Sequence, residues 1–551
     1  MAIDQAAAKP KPRPIWMKIV DPSESRARAF TLGAAATAVM LTGSFLNFLN
    51  YYGYPVGSAE VQLVFAGVLA VSAVVGLVAA TLGVFAQLVV PVLLVVLAIQ
   101  LNFGGAFLTV GVLASALLAR FARQALILWF GVVVISELWT AATGTAGGHP
   151  AAAGSAVQTG AMATKKSDIA VVHLILDEHI GLEAIPDFVP RGPEAREQLR
   201  TFYLRHGFRL LAGAYSESLH TVNSIPRILG LEPALPWKQG GRWGTTVEQN
   251  RYFDVLQWMG LRITVAQSDW IDYCNHPAVE TCMTRAAGGL IDVGDQLPVS
   301  DKAYILAFRF AALSALARSA LGVYDLAVFY VRRVGLDLPF VQQLQETSTS
   351  SLNGMATFEW VIGQTRALTP GQAIFAHVLV PHYPYIYDKA CRMLRQSEWR
   401  GRASRVSWQA RYDAYFDQVE CVTHKVEEML SAIAASPAAG KTVIIIHADH
   451  GSRIVQFDPV IENDGRFTDR DLVDGLAAFF AVSAPGIEPG YDSKRYPLRL
   501  ILDALARSQF RGVTPDLPTG FHHSVKIEDR KWNPIAERSM VDKEWWNEDV
   551  D

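Results

Sequence analysis

The chain has 551 residues, 51% hydrophobic and 18% charged, with a mean hydropathy of +0.20 and a formal net charge of −3. A soluble globular chain carries about 25% charge, so a wholly soluble protein is excluded, and the near-neutral balance excludes a basic nucleic-acid binder. Four cysteines in this length exclude a disulfide-built scaffold.

Residues 1–28 carry Lys9, Lys11, Arg13, Lys18, Arg26 and Arg28. From there to Arg120 the only charged residue is Glu60. One membrane crossing needs about 20 apolar residues, so the stretch holds several. Breaks near Asn50–Ala59, Thr81–Gly83 and Asn102–Gly105, and a further apolar run after the Arg120/Arg123 pair, predict five spans at 30–49, 60–80, 83–101, 105–121 and 124–142. The basic segment places the N-terminus in the cytoplasm. After four crossings Arg120 and Arg123 return there, which agrees with an odd number of spans. A long basic lead is a poor cleavable signal, so the first span is expected to stay as an anchor. Everything beyond 142 is then expected outside the cytoplasm.

Residues 143–168, rich in Ala, Gly, Ser and Thr, read as a tether. The segment 169–551 reads as one working domain. Runs at Ala170–Leu176, Arg262–Ala266, Ala373–Val380, Thr442–His447 and Ala477–Val482 predict strands, and 193–205, 246–259, 404–434 and 497–507 predict helices. That alternation means an α/β domain with a mainly parallel sheet. The apolar stretch 303–333 is interrupted by Arg309, Arg318, Asp325, Arg332 and Arg333. It fits either core-packing helices or an amphipathic helix on the lipid surface.

In an open α/β sheet, functional groups gather at the carboxyl ends of strands. One such end is Leu176-Asp177-Glu178-His179, where adjacent carboxylates suit a hard or borderline cation. An Asp there also serves as an ordinary helix N-cap. A second is Ile446-His447-Ala448-Asp449-His450-Gly451. Together the two ends offer Asp177, Glu178, Asp449 and His450 to one divalent ion. A third group, Ser218-Leu219-His220-Thr221-Val222-Asn223-Ser224-Ile225-Pro226, sets hydroxyls ahead of an apolar helical run. It fits a Ser/Thr cap, or a phosphate or sulfate ester held at a helix N-terminus.

The ordered set Asp177-Glu178, Thr221 to Pro226, Pro381-His382-Tyr383-Pro384-Tyr385 and Asp449-His450-Gly451 resembles the alkaline phosphatase/sulfatase superfamily. Within it, the likeness is to membrane-anchored head-group transferases of the lipid A phosphoethanolamine transferase and lipoteichoic acid synthase type. The resemblance implies a five-span α-helical membrane domain at 29–142 and an alkaline-phosphatase-like (sulfatase-like) α/β domain in the periplasm. It implies Thr221 as nucleophile and metal ligand, and Glu178, Asp177, Asp449 and His450 as ligands of a divalent metal, zinc before manganese. His382 is implied to contact substrate and act as general acid. The family's further histidine after Asp-His-Gly is missing here, which argues against a second metal. His522 and His523 could take its place at the substrate, and Arg453 could bind a phosphoryl oxygen. No cysteine stands at the nucleophile position, which disfavours a formylglycine sulfatase. The implied partners are a phospholipid donor, an envelope glycan or glycolipid acceptor and the bacterial inner membrane, with no nucleic acid. A hydrolase of a phosphodiester or sulfate ester is the alternative activity. With all four cysteines outside the cytoplasm, where disulfides persist, Cys274–Cys282 and Cys391–Cys421 are the expected pairs.

Overall fold

The computed structural model describes residues 26–51, 54–82, 167–231, 245–247, 249–290, 296–313, 347–402, 406–454, 459–517, 521–529 and 533–540. The predicted spans at 83–101, 105–121 and 124–142, most of the tether and residues 314–333 lie outside the described residues. The chain divides into two units, residues 1–149 with 298–338, and residues 150–297 with 339–551.

In the first unit, helices α1 (Arg26–Tyr51) and α2 (Ala59–Leu82) occupy the first two apolar stretches. Within α2, Ala59–Val78 is long and apolar enough to cross a membrane, the one such helix among the described residues. Several of its apolar side chains are exposed, with Leu69, Val74 and Leu77 about 60% exposed.

The second unit, the head, is built on strands β1 (Ala170–Leu176), β2 (Arg209–Tyr215), β3 (Arg262–Ser268), β4 (Val279–Arg285), β5 (Gln372–Val378), β6 (Thr442–His447), β7 (Phe480–Ser483) and β8 (Gly490–Pro497). They form one sheet in the order β8-β2-β7-β6-β1-β5-β3-β4. Only the pairings of β7 with β2 and β6 are antiparallel. Every residue of β1 and β6 is buried, as apolar runs in the middle of a parallel sheet require. The head's helices are α3 (Gly192–Arg205), α4 (Thr221–Gly230), α5 (Arg251–Trp258), α7 (Ser350–Thr365), α8 (Trp408–Ala434), α9 (Asp469–Leu476) and α10 (Leu498–Arg507). Helix α6 (Val299–Leu313) belongs to the first unit. A hairpin of β9 (Ser524–Glu528) and β10 (Pro534–Ser539) closes the described chain.

Three predicted elements start at least three residues late. Helix α8 begins at Trp408 rather than 404, because Ser407 Oγ accepts from Ala410 N at 3.2 Å and caps it. Helix α5 begins at Arg251 rather than 246, because Asn250 Oδ1 accepts from Phe253 N at 3.0 Å and caps it. Strand β7 begins at Phe480, because Ala477 and Ala478 form single bridges to Tyr215 and Ile180 instead. Both expected disulfides are present, with Cα–Cα distances of 5.8 Å for Cys274–Cys282 and 4.8 Å for Cys391–Cys421.

Candidate active site

Strand β1 lies between β5 and β6 with all three parallel, and Ile175 is level with His377 on one side and His447 on the other. The three carboxyl ends therefore open on one edge of the sheet. Asp177 follows β1 and Asp449 follows β6 by two residues, so both acids arrive at that edge, fully buried. Ligand atoms of Asp177, Asp449 and His450 lie within 4.8 Å of one another.

Each of these side chains is held by neighbours. Gly451 permits the turn after His450: a Cβ there would stand 2.0 Å from the Asp474 carbonyl oxygen. Asp474 is fixed in turn by Ser452 Oγ, which donates to its Oδ1 at 2.7 Å. His450 Nδ1 lies 3.0 Å from the Gly451 carbonyl oxygen, which only accepts, so Nδ1 carries the proton and Nε2 presents a lone pair. Nε2 faces Asp449 Oδ2 at 3.1 Å and Thr221 Oγ1 at 3.2 Å. Thr221 is the first residue of α4 and is buried, so its hydroxyl joins the cluster from the helix N-terminus. Asp177 Oδ2 lies 3.2 Å from His377 Nε2.

The electrostatics describe a site short of positive charge. Burial pushes Asp177 up to about 6. Burial, with the charge on Asp177 added, pushes Asp449 up to about 7. Burial and then the Arg453 charge hold His450 well below the usual imidazole range, so it stays neutral. Asp177 Oδ1 and Asp449 Oδ2 are buried with no hydrogen-bond partner among the described residues. Two converging orphaned carboxylate oxygens with a neutral imidazole are what a divalent cation requires. The residues present therefore fit a metal.

Adjacent in sequence, Asp177 and Glu178 serve different partners. Glu178 adopts the left-handed region at φ 62°. Its N–H donates to Asp449 Oδ1 at 3.2 Å, and its carbonyl accepts from Tyr415 Oη at 2.9 Å. Its carboxylate accepts from Arg453 Nε at 2.8 Å and pairs with the same guanidinium through Nη2. His382 Nε2 lies 3.7 Å away on the same oxygen. Burial alone would raise Glu178, but the charges of His382, Arg453 and Arg402 more than offset it and hold the carboxyl below its ordinary value. The structure thus puts Asp177 in the metal-type group and Glu178 beside it, on Arg453.

His382 is positioned by residues that no sequence motif flagged. Ser351 Oγ bonds the carbonyls of His382 and Pro384, each at 2.7 Å. Gln418 Nε2 donates to the Pro381 and His382 carbonyls at 3.1 and 3.0 Å. Trp270 meets the His382 ring edge-on at 5.1 Å between centroids. A buried His within the apolar run of β5 was the available signal for His377. Ser351 and Gln418, on α7 and α8, gave none. His522 and His523 sit beside the β9–β10 hairpin, His522 near Ser539 Oγ and His523 bonded to Tyr215 Oη at 3.1 Å.

No family model matches the chain, and no curated protein matches it either. Solved structures do. A 2-O GAG sulfatase aligns at 12% identity over 66% of this chain and 78% of its own, with a TM-score of 0.38. The periplasmic domain of EcEptC from Escherichia coli, in complex with Zn, aligns at 10% identity over 70% and 97%, TM-score 0.37. The soluble domain of lipooligosaccharide phosphoethanolamine transferase A from Neisseria meningitidis aligns at 10% identity over 64% and 90%, TM-score 0.35. The chain is similar to both kinds of protein.

Proposed function

We propose that the head is a metal-dependent phosphotransferase that moves a phospholipid head group, phosphoethanolamine or phosphoglycerol, onto an envelope glycan or glycolipid. It works at the periplasmic face of a bacterial inner membrane, tethered by the N-terminal spans. One observation carries the reading: a buried threonine hydroxyl at a helix N-terminus, 3.2 Å from the lone pair of a neutral histidine that belongs to a metal-type donor group.

Asp177, Asp449, His450 and Thr221 would hold one divalent ion, zinc before manganese, which would lower the pKa of the hydroxyl and offset charge on the phosphoryl oxygens. Thr221 Oγ1 gives up its proton to solvent and attacks the phosphorus, and the bond to the diacylglycerol oxygen breaks. His382 gives that oxygen its proton, then takes the proton of an acceptor hydroxyl whose oxygen displaces Thr221 Oγ1 from the phosphorus. Arg453, held by Glu178, binds a non-bridging phosphoryl oxygen; its charge already reaches His450. Glu178 is thereby assigned to positioning Arg453, and Asp177 takes the ligand place beside it.

The test is peptide mass spectrometry of metal-loaded protein incubated with phosphatidylethanolamine. A phosphoethanolamine adduct on Thr221, absent from Thr221→Ala, is expected. Turnover with the adduct on another residue would overturn the assignment.

A further inference from the structure

The single charge in the N-terminal apolar region, Glu60, has a structural partner far along the chain. At the start of α2, Glu60 Oε1 accepts from Tyr54 Oη at 2.7 Å, and Glu60 Oε2 lies 3.8 Å from Lys302 Nζ on α6. Glu60 and Lys302 side chains are only 8% and 12% exposed. Eight residues further on, about 12 Å along the helix, Phe310 packs on Phe45 and Phe48 of α1 at ring distances of 5.0 and 5.8 Å. Phe45 also meets Phe65 of α2 at 5.1 Å, and Phe65 lies about 8 Å of helix past Glu60. Helix α6 therefore runs alongside α1 and α2 rather than across their ends.

Helix α6 also carries two partly exposed aromatic rings. Tyr304 is 41% exposed, Phe308 is half-buried, and the two rings stack at 6.4 Å with i,i+4 spacing. On α2, Leu63 and Leu69 are 51% and 61% exposed. Aromatic rings of this kind concentrate where hydrocarbon meets head groups. The described residues of α6, Val299–Leu313, reach about 22 Å along the helix axis.

We propose that α6, an excursion from the sequence of the head, dips into the outer leaflet beside α1 and α2. The Glu60–Lys302–Tyr54 group lies at head-group level, and Tyr304 and Phe308 face phospholipid. The inference rests on the reading that α2 crosses the membrane, and the experiment separates the two.

The chain has no free cysteine among the described residues and four in all, paired as two disulfides, so an introduced cysteine is labelled uniquely. Tyr304→Cys, Phe308→Cys, Leu69→Cys and the exposed head position Ser493→Cys carry an environment-sensitive fluorophore in nanodiscs. Quenching by doxyl-labelled phospholipid is compared with quenching by aqueous iodide. Lipid quenching is expected to exceed iodide quenching several-fold at 304, 308 and 69, with the reverse at 493. Lipid quenching at 69 with iodide quenching at 304 and 308 overturns the proposal for α6 alone. Iodide quenching at 69 as well overturns the membrane reading and the proposal with it. A photoactivatable acyl-chain phospholipid on the unaltered protein gives an independent reading. Adducts within 299–313 support the proposal, and adducts on α2 without any there overturn it.

Discussion

Replacing Asp449 with Asn should stabilise the metal-free protein and abolish its response to metal. Both carboxyls are fully buried, with Asp449 pushed to about 7 by burial and the Asp177 charge, and Asp177 to about 6 by burial. A carboxyl whose folded pKa lies above its unfolded value costs nothing below about pH 4. It destabilises increasingly as pH rises to the folded value, because the unfolded state releases the proton first. For Asp449, a rise from 3.8 to about 7 is worth about 4 kcal/mol at pH 8. Asn has the same shape and can still accept from Glu178 N and His450 N, at 3.2 and 3.0 Å in the native protein. It also removes the charge next to Asp177. A net gain of about 2–4 kcal/mol is expected for chelator-treated protein, a melting shift on the order of 5 °C. Differential scanning fluorimetry from pH 5 to pH 8.5, with and without zinc, reads it. The gain should shrink toward acid pH, and zinc should stabilise only the native protein. Chelated Asp449→Asn melting at or below the native protein at pH 8, or responding equally to zinc, would refute the reasoning.

Other outcomes follow from the same geometry. Thr221→Ala should lose activity by at least about 10³-fold, with Thr221→Ser retaining a measurable part, in a steady-state assay of lipid turnover. Glu178→Gln should keep its metal by elemental analysis yet lose kcat. Glu178→Ala, which removes the carboxylate paired with the buried Arg453 guanidinium, should cost about 3–5 kcal/mol of stability in denaturant titration. Metal affinity, measured by chelator competition, should fall as pH drops below about 7, because Asp449 and Asp177 are protonated there. Opening the Cys391–Cys421 loop of 30 residues with Cys421→Ser should cost about 3 kcal/mol, read as a lowered denaturation midpoint.

The central strands were legible because β1 and β6 are mainly apolar runs, broken in β1 only by His173 and bounded in β6 by Thr442 and His447, that lead into acids, as burial on both faces requires. The edge strands were not. Strands β8 (GYDSKRYP) and β4 (VETCMTR) are polar and partly exposed, and only pairing makes them strands. Helix α7 opens with Ser350-Ser351 and contains Asn353 and Gly354, poor helix formers. Its hydroxyls are instead committed to the His382 loop. The group Asp177, Asp449 and His450 was visible as strand-end chemistry. That the two neighbours turn to different partners, Asp177 to His377 and Glu178 to Arg453, was not, because it depends on a backbone turn at Glu178 and on Arg453, 275 residues away.

The most direct test of the central claim is diacylglycerol release by purified protein in detergent, with zinc or manganese added. Phosphatidylethanolamine, phosphatidylglycerol and cardiolipin are offered in turn, beside Thr221→Ala. Release from one lipid, lost in the variant, is the predicted result and identifies the donor. Metal-loaded protein that releases no diacylglycerol from any of them would contradict the account.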